Sequence, residues 1–435
     1  MTPSPAYQPR VIDQEIRDRL AASKIVILEG PKACGKTSTA RQVAASEVLL
    51  DVDAAARAAI TVDPRLVLDG PIPRLIDEWQ VEPELWNHVR RFADDRETPG
   101  QFILSGSSVP PDKTTRHTGA GRIGRIRMRP MSLYESGHST GEMSLAALLA
   151  GEPARSPDPG LSLPDVAERI CVGGWPGFQQ LSTPNALRAV ASYIDDISRT
   201  DINRVEREDD DDDTVARRQR DRDPARVAKL LRSLARNVAT AVSVTKLAAD
   251  TVETDEDDQL ARDTVYDYLR ALGRLMIIED QPAWAPHLRS RRQMRSSPHR
   301  HFVDPSLAVA ALGASPERLL KELNYLGFLF ESLAIRDLRI YAQASDANVS
   351  YYGDSTGLEV DSIIETRDGR WGAFEIKLGG PKLIEEGVAS LLKFASQVDT
   401  EKSGPPAFLG LIVATGYGYV RDDGVKIVPL GALTV

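Results

Sequence analysis

Gly30-Pro31-Lys32-Ala33-Cys34-Gly35-Lys36-Thr37 is a complete G-x-x-x-x-G-K-[ST] pattern. Glycines at its ends let backbone N–H groups curl around phosphate oxygens. Lys36 is placed to reach the β- and γ-phosphates, and the Thr37 hydroxyl to ligate Mg²⁺. Chance produces the bare pattern in about one chain in a hundred of this length. Turnover needs two further carboxylates, and Ile76-Asp77-Glu78-Trp79-Gln80 supplies them after an apolar run. Asp77 reads as the metal-side acid and Glu78 as the general base for an attacking water. Ser105-Gly106-Ser107-Ser108 ends another apolar run, where a hydroxyl either senses the γ-phosphate or caps a helix. Arg122, after Gly119 and Gly121, is the arginine best placed to offset transition-state charge, whereas Arg125, Arg127 and Arg129 read as surface ion pairs. The expected nucleotide contacts are Gly30, Pro31, Lys32, Ala33, Cys34, Gly35, Lys36, Thr37, Ser38, Ser105 and Arg122.

A second constellation lies near the C-terminal end. Glu359-Val360-Asp361 and Phe374-Glu375-Ile376-Lys377 read as adjacent strands joined at the Asp368-Gly369 turn. Alternation puts Glu375 and Lys377 on one face, where Asp361 can join them. Asp361 and Glu375 are thus a second Mg²⁺ site by type, with Lys377 beside them and Glu331 facing from a helix. The same residues suit a buried ion network, and both readings stand at this point.

Elements that would position these groups follow from periodicity. Ile25–Leu28, Val48–Val52, Arg74–Asp77 and Gln101–Ser105 read as strands, with Arg125–Arg129 as a fifth. Helical patterns run from Thr37 to about Ala45 and from Leu85 to Asp94, as an α/β sheet requires. Residues 132–205 are mostly helical, and 206–223 are a charged linker with an acidic run followed by Arg217, Arg218, Arg220 and Arg222. Helices at Ala225–Asn237, Val244–Ala249 and Gln259–Leu272, then a strand from Met276, have the order of a winged helix-turn-helix. Arg262, Thr264, Tyr266, Asp267 and Arg270 lie on or beside its recognition helix, and Arg289, Arg291, Arg292, Arg295 and Arg300 form a basic loop. DNA contact through these residues and simple interdomain packing are both open. Residues 303–435 begin with a long helix, Leu319–Tyr341, and end as a second α/β segment.

Composition narrows the partners. The 435 residues are 42% hydrophobic and 27% charged with a net charge of -9, so DNA affinity, if present, is local rather than global. Two cysteines, Cys34 and Cys171, fit a reducing compartment. No apolar run reaches 18 residues and the first 24 are polar, so a cytoplasmic protein without a membrane partner is expected. A protein partner or a homo-oligomer is admitted by these data.

Taken in order, GPKACGKT, LLDVD, LIDEW, FILSGSS, the AGR-to-RPMSLYE segment, GGWPGF, FVDPSL, FLFES, GLEVD and FEIK span almost the whole chain. The set resembles a bacterial and archaeal family of AAA-type ATPases, related to signal-transduction NTPases, with a C-terminal nuclease-like domain of unknown function. The resemblance implies ATP as nucleotide and a helical lid over residues 132–205. Together with the element order, this gives an expected AAA-type parallel-sheet core over residues 1–131, a winged helix over 224–302 and a PD-(D/E)xK-like domain over 303–435. The chain departs from the nuclease pattern where Val360 stands in place of the usual proline before Asp361.

Overall fold

Ile25, Val26, Ile27 and Leu28 are fully buried, as a central parallel strand covered on both faces must be. The structure is a computed structural model that describes residues 7–107, 121, 123–205, 222–252, 259–286 and 297–435. Arg122, Ser108 and the Arg289, Arg291, Arg292 and Arg295 positions therefore lie outside the described residues, as does the acidic run from Glu206. Two compact units emerge. The first comprises Met1–Pro130, Thr200–Arg222 and Arg270–Ile277, and the second Met131–Arg199, Asp223–Leu269 and Ile278–Val435.

In the first unit, β1 (Ile25–Glu29), β2 (Ser46–Leu49), β3 (Arg74–Asp77), β4 (Phe102–Gly106) and β5 (Ile123–Arg127) form a parallel sheet in the order β2-β3-β4-β1-β5. Alternation sorts its core. Ile25 and Ile27 join Ile76, Phe102, Leu104 and the tilted Trp79–Trp86 pair. Val26 and Leu28 meet Leu75, Ile103, the Ile16 and Leu20 stripe of helix Asp13–Ala22 and Ile12 just before it on the other side. The helix Leu85–Asp94 buries Leu85, Trp86, Val89 and Ala93, a helical stripe. Several sequence boundaries move, the strand expected at Arg125–Arg129 to Ile123–Arg127 among them. The expected strand at Val48–Val52 is instead Ser46–Leu49, because Asp53 caps the next helix by accepting from the Ala56 N–H. The helix expected from Thr37 to Ala45 runs only from Lys36 to Ala40. Beyond it, N–H groups of Gln42 and Val43 turn to the carbonyls of Thr39 and Ala40, three residues back, which tightens and ends it.

In the second unit, the strands β6 (Met143–Ser144) and β16 (Leu433–Thr434) pair in parallel. Another small sheet joins β7 (Thr240–Ala241), β8 (Ile278–Gln281) and β9 (His299–Phe302), with β9 central and antiparallel to both. The largest sheet contains β10 (Ala347–Gly353), β11 (Glu359–Thr366), β12 (Trp371–Lys377), β13 (Phe408–Val413), β14 (Tyr419–Val420) and β15 (Lys426–Pro429) in the order β10-β11-β12-β13-β15-β14. Helix Leu323–Ala344 packs on β10 and helix Pro381–Gln397 on β12. Trp284, Trp371 and Phe394 stack edgewise and tilted in the core beneath the second of these helices.

A buried ion network explains two of the sequence motifs in this unit. Arg336 donates through Nη1 to Asp304 Oδ2 at 2.8 Å and through Nε to Asp337 Oδ1 at 2.9 Å. Asp304 also accepts the Gly174 N–H at 2.8 Å and the Ser306 N–H at 3.0 Å, and Asp337 accepts the Leu133 N–H at 2.9 Å. Trp175 Nε1 donates to Ser306 Oγ at 3.0 Å. GGWPGF and FVDPSL are thus two halves of one hydrogen-bonded joint. A Cβ at Gly174 would lie 2.1 Å from the Met131 carbonyl oxygen and 2.7 Å from its nitrogen. Gly174→Ala is therefore expected to destabilise the chain by about 1–3 kcal/mol, since backbone must shift to admit the methyl. A thermal melt within 1 °C of wild type, at about 1 kcal/mol per few degrees, would show that the joint yields freely.

Candidate nucleotide site and C-terminal carboxylate cluster

The registers Glu29↔Gly106 and Asp77↔Ser105 bring the carboxyl ends of β1, β3 and β4 to one edge of the sheet. Ligands of open α/β sheets bind at that edge. Gly35 takes φ +103° and Ala33 φ +60° as the loop after β1 turns into its helix, a conformation open to glycine and costly to alanine. Lys36 is buried, and its Nζ donates to the Gly30 and Pro31 carbonyls at 2.9 Å each. Lys32 pairs with Asp201. Cys34 is buried, and its carbonyl accepts from Arg10 Nη1 at 2.9 Å; Arg10 Nη2 reaches the Arg129 carbonyl at 2.8 Å. Ser38 carries its carbonyl into a bond from Gln42 Nε2 at 3.0 Å.

Asp77 joins the loop to the sheet. Its Oδ2 accepts from the Thr37 hydroxyl at 2.9 Å, and its Oδ1 accepts from the fully buried Ser105 hydroxyl. Hydroxyl and carboxylate oxygens are the donors a hard divalent cation takes. Glu78 follows with φ +51°, a left-handed backbone that costs a glutamate on the order of 1 kcal/mol or more. That turn swings its side chain away from the direction strand alternation would give it. The carboxylate then accepts from Gln80 Nε2 and from Ser107 Oγ, the latter at 3.2 Å. Both partners donate to it and hold the carboxylate in place. The phosphate loop, Asp77, Glu78 and Ser105 thus meet at one edge, while Arg125 pairs with Glu29 of β1. Gln80 and Arg10 were not singled out from sequence. Gln80 carries a local signal, two residues beyond Glu78, whereas Arg10 reaches the loop from 24 residues upstream and carries none.

The C-terminal acids also meet. The antiparallel register Ile363↔Ala373, taken one alternation further, sets Asp361 beside Glu375 on one face. Lys377 Nζ lies 2.7 Å from Glu375 Oε2 and 3.1 Å from Asp361 Oδ2, and Asp361 Oδ2 accepts the Ile376 N–H at 2.7 Å. Ser390 donates to Glu375 Oε1 at 2.8 Å. Burial, and after it the Asp361 charge, push the Glu375 carboxyl up to about 8 and the Glu331 carboxyl well above the usual range. Burial opposes the Lys377 ammonium, but Asp361 and Glu375 outweigh it and raise its pKa. The lysine is thus already the counter-ion of the pair.

Arg300, the described end of the basic loop, pairs with Asp280. No helix among the described residues is long and apolar enough to cross a membrane.

Residues 22–137 match a family described as an AAA domain, residues 163–318 a domain of unknown function (DUF8612), and residues 326–433 a domain of unknown function (DUF4143). Uncharacterized proteins of Mycobacterium tuberculosis and Mycobacterium bovis are each 23% identical over 384 residues, covering 87% of this chain and 75% of the relative. Among solved structures, a Walker-type ATPase of Pyrococcus abyssi is similar with a TM-score of 0.40 and 13% identity, over 69% of this chain and 94% of that one. An ORC2 protein of Aeropyrum pernix, solved as ADPNP–ADP complexes, has a TM-score of 0.33 and 12% identity, over 74% and 97%.

Proposed function

We propose, from the AAA-type ATPase family to which residues 22–137 belong, that the chain binds ATP with Mg²⁺ and hydrolyses it as a molecular switch or motor. The observation that carries this reading is Asp77, bonded at once to Thr37 of the phosphate loop and to Ser105 of β4, with Glu78 turned out beside it. When bound, Mg-ATP supplies the transferable phosphoryl group and the cation that offsets its charge. The loop N–H groups and Lys36 hold phosphate oxygens, and Thr37 with Asp77 hold the metal. Glu78 takes the proton of the attacking water, with Gln80 and Ser107 orienting it. Arg122 remains the proposed charge-offsetting arginine. Release of phosphate from ATP by the purified chain, with and without DNA, tests turnover and coupling together. Nucleotide held without phosphate release would favour a scaffold instead.

A second reading rests on the Asp361, Glu375 and Lys377 cluster, which supports Mg²⁺-dependent phosphodiester cleavage licensed by ATP. The lysine pairing both acids supports the quieter form of that reading, an ion network in a nuclease-like domain. We expect no nicking of plasmid DNA by the wild-type chain, and a loss of about 1–3 kcal/mol of stability in Asp361→Asn. Mg²⁺-dependent nicking that disappears in Asp361→Asn while ATP hydrolysis persists would establish the nuclease.

The helices Pro224–Arg236, Val244–Ala249 and Arg262–Arg274, with β7, β8 and β9, support the winged-helix reading, and DNA contact through it and the basic loop goes with that reading.

A further inference from the structure

Two histidines of β9 and one acid of the long helix form a group of donors, of which only Glu331 enters the readings above. His299 and His301 are two apart on β9 and so share a face. Glu331 comes from helix Leu323–Ala344. One ring nitrogen of each histidine and one Glu331 carboxylate oxygen lie within 4.8 Å of one another, and all three residues are buried.

The surrounding hydrogen bonds decide which lone pairs are available. His299 Nε2 lies 2.6 Å from Glu359 Oε1, and a carboxylate only accepts, so Nε2 carries the proton and Nδ1 the lone pair. That Nδ1 is buried and has no hydrogen-bond partner. His301 Nε2 lies 3.1 Å from Gln281 Oε1. Gln281 has its amide nitrogen committed to the Asp361 carbonyl at 2.9 Å, so the oxygen faces the ring and Nε2 again carries the proton. His301 Nδ1 keeps its lone pair, with the Ser332 hydroxyl 3.2 Å away. Glu331 Oε1 is buried and likewise has no partner. Buried orphans of this kind cost about 1–3 kcal/mol each, and two in one cluster call for a missing partner. The Tyr351 ring stacks on His299 with centroids 3.8 Å apart and holds the imidazole plane.

We propose that His299, His301 and Glu331 bind one divalent transition-metal ion of the Zn²⁺ class. Two imidazole nitrogens and a carboxylate oxygen are a zinc-type donor set, and imidazole is a poor ligand for Mg²⁺. Glu359 and Gln281 are the outer partners that fix tautomer and ring orientation, as metal-bound histidines require. The ion would fasten β9 to the long helix. Glu331 is shared with the nuclease-like reading, whereas Asp361 and Glu375 lie outside this set, so Zn²⁺ uptake is read separately from phosphodiester cleavage and from ATP hydrolysis.

The full-length chain, stripped by a chelator and titrated with Zn²⁺ and with Co²⁺, tests it. We expect one equivalent of either ion, visible d–d absorption from bound Co²⁺, and a rise in Tm with Zn²⁺ that Mg²⁺ does not reproduce. Glu359→Gln should weaken Zn²⁺ binding by about 10–100-fold with the fold intact, and His299→Gln or His301→Gln by more than that. Glu375→Gln should change Zn²⁺ affinity far less than Glu359→Gln does, since Glu375 acts on Glu331 only through its charge, which separates this site from the carboxylate pair. If a histidine variant does not fold, the wild-type Co²⁺ spectrum still decides. No uptake of Zn²⁺ or Co²⁺ by the stripped wild type would overturn the proposal and leave an ordered water as the missing partner. Uptake undiminished in Glu359→Gln and in both histidine variants would overturn it equally.

Discussion

Glu78→Gln is expected to slow phosphate release by about 10²–10⁴-fold while ATP still binds. The amide keeps the size of the side chain and is no worse than glutamate in the left-handed backbone at φ +51°. It loses only the basic oxygen proposed to take a proton from water. Metal binding is left to Thr37 and Asp77, whose mutual bond at 2.9 Å does not involve Glu78. Lys36→Ala should behave differently and lose nucleotide affinity itself, because the buried ammonium between the Gly30 and Pro31 carbonyls is the cation proposed to meet the phosphates. Equilibrium titration with a fluorescent ATP analogue, beside a phosphate-release assay, separates the two effects. Unaltered turnover in Glu78→Gln would remove its assignment as the base.

Arg336→Ala should destabilise the second unit by about 3–5 kcal/mol, among the largest effects available to one substitution. Arg336 and its partners Asp304 and Asp337 are all essentially without solvent exposure. Removing the cation strands two carboxylates in a place water does not reach. Asp304→Ala should cost a comparable amount, because it frees Arg336 from one anchor and also strips the Gly174 and Ser306 N–H groups of their acceptor. Urea denaturation followed by tryptophan fluorescence reads this directly, since Trp175 is bonded to Ser306 in the same joint. A loss below about 1 kcal/mol in both variants, the range of an exposed pair, would mean that the network is solvated in solution.

Local chemistry was legible in the sequence and long-range pairing was not. The phosphate loop reads from one chain segment because strand, glycine-rich turn and helix are contiguous, and Leu85–Asp94 was placed to the residue by its apolar stripe. The Asp361, Glu375 and Lys377 convergence followed from strand alternation across a short hairpin. The placement of β4 between β1 and β3 did not follow from any periodicity, since it depends on packing of β4 against β1, a segment far back in the chain. Glu78 took a left-handed turn that no local rule demanded of a glutamate. GGWPGF and FVDPSL were readable only as matching pieces of a family. Their physical tie, the Gly174 N–H on Asp304, spans 130 residues. His299 and His301 were passed over because they sit beside a basic loop and occupy a short strand. Only the approach of Glu331 from a separate helix gives that pair a meaning.

ATP turnover by the first unit is read in steady-state phosphate release by the wild-type chain. With saturating ATP and Mg²⁺, release is expected, and it should stop when EDTA removes the cation proposed to sit on Thr37 and Asp77. Tight ATP binding with no phosphate released over many hours, in Mg²⁺ and with or without DNA, would rule out hydrolysis as the function of this unit.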